Sequence, residues 1–80
     1  MIPGRKGYIK TSVFFITYDE VLAKEICKAV ELKAKLITFL RSNVIKELYF
    51  MEIEGNVKGS IEDILRDKVL WYKIDVIEFN

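Results

Sequence analysis

Glu52 and Glu54 stand two residues apart in the run Leu48-Tyr49-Phe50-Met51-Glu52-Ile53-Glu54. On a strand that spacing projects both carboxylates to one face, a geometry open to paired acid/base work or to a hard cation. The same pattern is the wet half of any alternating strand, and we read it that way. The chain has no histidine, so the usual general base near neutral pH and the commonest metal ligand are both missing. Its one cysteine, Cys27, has only the neighbouring Lys28 to favour a thiolate and reads as a small packing residue. Glu62, Asp63 and Asp67 fall on the solvated side of a predicted helix. Neither a GxxxxGKS/T nor a GxGxxG phosphate loop occurs. These residues predict a chain that binds rather than catalyses, with no catalytic residue, no metal and no cofactor.

Length and composition narrow the kind of binding. Eighty residues hold one core, which predicts a single domain over residues 8–80. Residues 1–7 carry the only proline and two of the four glycines, and read as a flexible leader. No apolar run reaches the 18 or so residues of a membrane span, and the start lacks a signal peptide's apolar core, so the expected place is the cytoplasm without a membrane partner. A lone cysteine agrees with a reducing compartment. Thirteen basic against twelve acidic residues leave a net charge of +1, too little for a whole-molecule field that would gather nucleic acid. Eleven isoleucines and no glutamine fit a thermophile's avoidance of labile amides, and fit an AT-rich genome equally. The apolar set is 51%; with the glycines it exceeds the roughly 45–50% usual for soluble domains.

The elements that would position these residues follow from periodicity. Tyr8 to Ile16 ends in the continuous run Val13-Phe14-Phe15-Ile16, the mark of a central strand. Thr17 and Glu20 have capping-box spacing, and Leu22, Ile26, Ala29 and Val30 then form one apolar stripe on a helix ending near Leu32. Leu36–Ile45 and Leu48–Glu54 read as a hairpin closed by Gly55. Asn56 or Ser60 can cap a second helix bearing Val57, Ile61, Ile64 and Leu65, with Gly59 weakening its first turn. Val69–Phe79 is the last strand. The order βαββαβ predicts an α+β ferredoxin-like sandwich, a four-stranded antiparallel sheet with two helices on one face.

Such a sandwich leaves the other sheet face bare. Tyr49, Met51 and Ile53 should face the helices, leaving Leu48 and Phe50 on the open side with one of Phe14 and Phe15. Trp71, Ile77 and Phe79 of the last strand would join them. So much exposed apolar surface predicts a homodimer through the open sheet or its edge strands, with interface residues Leu48, Phe50, Trp71 and Phe79; a terminal segment folded over the face is the alternative.

Ferredoxin-like sheets also bind RNA through third-strand aromatics. Here only Lys46 and Phe50 fit that signature, Glu47 replaces its glycine, and Glu52 and Glu54 would repel phosphates, so nucleic acid is not the expected partner.

The stretch Thr38-Phe39-Leu40-Arg41-Ser42-Asn43-Val44, with Tyr49-Phe50-Met51-Glu52-Ile53-Glu54-Gly55 after it, resembles the NIL domain, a small relative of the ACT regulatory fold. The resemblance covers roughly Ser12 to Phe79. Family members terminate methionine-importer ATPases, where they bind the amino acid and dimerise, or stand alone or beside iron-sulfur modules. The resemblance implies a ligand site at Thr38, Arg41 and Asn43, with Arg41 a partner for a carboxylate. Two departures bear on it: Thr38 stands where the family's motif has asparagine, and Asp19 and Glu20 set negative charge at the first helix N-terminus. The expected function is a binding or regulatory module sensing a small molecule such as an amino acid, or an assembly module that docks on a partner protein.

Overall fold

A computed structural model describes residues 7–79; apart from Gly7, the leader expected at residues 1–7 lies outside them. Strand β1 (Tyr8–Ile16), helix α1 (Glu20–Lys33), strands β2 (Leu36–Arg41) and β3 (Leu48–Glu54), helix α2 (Lys58–Leu65) and strand β4 (Trp71–Phe79) follow in the expected order. The strands form one antiparallel sheet in the order β2-β3-β1-β4. This is the ferredoxin-like α+β arrangement, with β3 lying between β1 and β2.

Alternation decides what each face buries. On β1, Val13 and Phe15 point under the helices and are buried, while Phe14 points away. Tyr49, Met51 and Ile53 of β3 join them, met from above by Ala23, Ile26 and Val30 of α1 and by Ile61, Ile64 and Leu65 of α2. Phe15 stacks on Tyr49 at 5.3 Å between ring centroids, and Tyr49 on Phe39 at 5.8 Å. Buried Thr11 is the polar member of this layer: its hydroxyl donates to the Gly55 carbonyl at 2.7 Å and accepts from the Val57 N–H at 3.1 Å. That contact ties β1 to the turn between β3 and α2. The turn needs Gly55 at φ +86, a left-handed conformation that a side chain disfavours.

Four local expectations are corrected. Thr17 does not cap α1. Its own N–H is held by the Glu47 carbonyl at 3.0 Å, which keeps it on the sheet; its hydroxyl accepts from the Asp19 N–H. Asp19 is the cap, with Oδ1 accepting from the N–H groups of Val21 and Leu22 at 2.9 and 3.2 Å. Strand β2 stops at Arg41 rather than Ile45, because the Ser42 hydroxyl accepts from the N–H groups of Val44 and Ile45 and bends the chain. Neither Asn56 nor Ser60 caps α2: Val57 holds the cap position without a side-chain bond, Asn56 accepts from Lys58 one step too early, and Ser60 lies inside the helix. Strand β4 starts at Trp71, after a turn in which Asp67 takes φ 65.

Candidate functional site on the open sheet face

Register builds the uncovered face in rows. Leu40, Phe50, Phe14 and Lys73 line up across β2, β3, β1 and β4. Toward the β2–β3 turn the next row is Leu48, Ile16 and Trp71. In the other direction come Thr38, Glu52, Ser12 and Asp75, then Glu54, Lys10 and Ile77, with Tyr8 opposite Phe79 at the far end. The face is therefore apolar at both ends and polar across the middle.

The polar band is satisfied from within. The Lys10 ammonium pairs with the Glu52 carboxylate and lies 5.5 Å from the centroid of the Phe79 ring. Glu54 has a separate partner, Lys35, at 3.7 Å. The two glutamates share a face, but each has its own cation. Among the described residues no cluster of three or more His, Cys, Asp or Glu side chains could hold a metal, and no helix is long and apolar enough to cross a membrane.

The apolar end nearest the β2–β3 turn is hollow. A cavity of about 380 Å³ opens on the surface there, lined by Phe14, Leu40, Leu48 and Phe50, with Arg41, Ser42 and Asn43 along its β2 side. The rings of Phe14 and Phe50 pack at 4.7 Å between centroids. The Ser42 N–H donates to the Leu48 carbonyl at 2.8 Å, which closes the hairpin and carries Asn43 to the cavity's lip.

Arg41 and Asn43 thus meet at the cavity, whereas Thr38 sits outside it, opposite Glu52 in the polar band. The Arg41 guanidinium turns to the covered face, opposite Tyr49, and not into the cavity: Nε donates to the Lys46 carbonyl, Nη1 lies 3.5 Å from Glu20 Oε2, and the group stands 5.7 Å from the Tyr49 ring centroid. Leu48 and Phe50 line the cavity and Trp71 follows beside Ile16, but Phe79 is at the opposite end against Tyr8. Sequence reasoning missed Leu40 and Ser42, and left Phe14 unresolved from Phe15. Parity could have chosen Phe14 once β3 was oriented, since Phe14 pairs with Phe50.

Cys27 is half-buried on α1, its thiol 3.6 Å from Glu31 Oε1. Burial first, then the Glu31 carboxylate, pushes the thiol pKa up, the reverse of what a nucleophile needs. Comparison with protein-family models and with curated proteins finds no match to this chain.

Proposed function

We propose that this chain is a non-enzymatic binding module whose working surface is the open sheet face, and that the cavity there takes the apolar side chain of an amino-acid-like small molecule such as methionine. The observation that carries this reading is the cavity itself, four apolar side chains around about 380 Å³ with Arg41, Ser42 and Asn43 along one side. Concave apolar walls with a few polar groups are the usual form of small-molecule sites. The NIL-like stretches that contain Arg41 and Asn43 support the same ligand class.

Docking of a partner protein is the second reading, and one observation favours it. Apolar surface continues past the cavity to Leu70 and Trp71 and to Val44 and Ile45 in the turn, all exposed, a wider area than an amino acid covers. Self-association belongs to both readings.

The test is the unfolding midpoint in denaturant with and without a panel of amino acids led by methionine. A ligand at about 100 times its dissociation constant adds roughly 2.7 kcal/mol. The expected result is a selective rise that Phe50→Ala removes. No response across the panel overturns the amino-acid site and leaves protein assembly as the function.

A further inference from the structure

The two edges of the sheet are built differently. Strand β2 is six residues long, its register shifts between Leu36 and Thr38, and Arg41 ends it. Irregular, short edges of that kind resist pairing. Strand β4 runs for nine residues in unbroken register with β1, and it contains no proline. Its outer edge can be assigned group by group. The Gly55 N–H donates to the Ile9 carbonyl and the Thr17 N–H to the Glu47 carbonyl, so the odd-numbered residues at this end of the β1 register bond toward β3. Alternation turns the even-numbered residues of β1 toward β4, as the Leu70 N–H on the Ile16 carbonyl confirms. Because those residues face the odd-numbered ones of β4, the N–H and C=O groups of Tyr72, Ile74 and Val76 point outward, away from β1.

We infer that β4 is a self-pairing edge: a second copy of this chain adds its own β4 antiparallel about a two-fold axis at Ile74, joining the two sheets into one. In that register Ile74 faces its copy, Tyr72 faces Val76, Lys73 faces Asp75 and Trp71 faces Ile77. The outward groups of Tyr72, Ile74 and Val76 all find partners, with Ile74 bonding to its copy and each Tyr72 to a Val76. Lys73 and Asp75, which lie 3.8 Å apart within one strand, gain opposite-charge neighbours across the junction twice over. Neighbouring registers fail on charge, since an axis at Lys73 sets lysine against lysine and one at Asp75 sets aspartate against aspartate. An edge lysine ordinarily blocks pairing; here Asp75, two residues on, turns the same charge into a register device. Trp71, 48% exposed, is covered in part by Ile77 of the second copy. The inference rests on the self-association in the reading above and not on the cavity.

Charge exchange at Lys73 and Asp75 tests it, because both side chains are more than half exposed and their reversal leaves the core untouched. Sedimentation equilibrium of the full chain should show a concentration-dependent dimer. Lys73→Asp should raise its dissociation constant about tenfold or more, since two attractive cross-strand pairs become repulsive. Adding Asp75→Lys to that variant should restore dimer formation, with an unchanged circular dichroism spectrum throughout. A chain that stays monomeric overturns both self-association and this surface. A dimer indifferent to Lys73→Asp, or a double variant that folds and fails to recover, overturns β4 pairing while leaving self-association through another face.

Discussion

The two faces of one sheet use similar residues to opposite ends. Phe15 and Phe14 are neighbours on β1, and Tyr49 and Phe50 are neighbours on β3. The first of each pair lies under the helices with almost no exposed surface, in a layer that Val13, Met51 and Ile53 complete. The second of each pair lies on the open face, half-buried, beside a cavity and an ion-paired band. Close-packed side chains cannot be changed without loss of packing, so the covered face is committed to the fold. The open face carries apolar groups that the fold does not need to bury, and that freedom is what a binding surface requires.

Truncation measures this asymmetry most strongly. Phe15→Ala should cost about 3–5 kcal/mol in denaturant unfolding, as large core aromatics do, whereas Phe50→Ala, only partly buried, should cost about 2 kcal/mol. Equal losses would erase the distinction between the faces. Thr11→Val sharpens it from the polar side. The Gly55 carbonyl and the Val57 N–H would both lose their partner within the covered layer, at about 1–3 kcal/mol, and amide exchange at Val57 should accelerate. No change in either measurement would remove Thr11 as the tie between β1 and the turn before α2.

A smaller, pH-dependent effect belongs to the margin of the covered face. The Tyr72 hydroxyl donates to Glu62 Oε2 at 3.0 Å, and this bond, followed by burial, raises the phenol pKa. The folded chain then holds the phenolic proton to higher pH than the unfolded chain. The stabilisation is complete below about pH 10, the ordinary tyrosine value, and is lost as pH rises through the higher folded value. Tyr72→Phe should therefore lose less stability than the parent as pH rises above about 10. Parallel losses would show that the contact contributes nothing.

The covered face was the more legible half. Tyr49, Met51 and Ile53 alternate with Leu48, Phe50 and Glu52, so period two alone orients β3, and the apolar stripe on α1 needs no tertiary knowledge. The Val13–Ile16 run carries no alternation, which is why Phe14 and Phe15 could be separated only by pairing with an oriented strand. The cavity was harder to read because β2 changes register between Leu36 and Thr38. That shift decides that Leu40 lies opposite Phe50 and that Thr38 falls in the polar band, and no local pattern announces it. Helix starts failed for a related reason: Thr17 and Asp19 are both competent caps, and the Glu47 carbonyl, brought by β3, holds Thr17 back.

The central claim is that the open face, at the cavity between β2 and β3, is where this molecule binds. Amide chemical shifts recorded during titration with methionine test it most directly. The account predicts saturable shifts concentrated at Leu40–Asn43, Leu48–Phe50 and Phe14, with the helices unmoved. Shifts centred on α1 or α2, or none at any concentration of methionine, would contradict it.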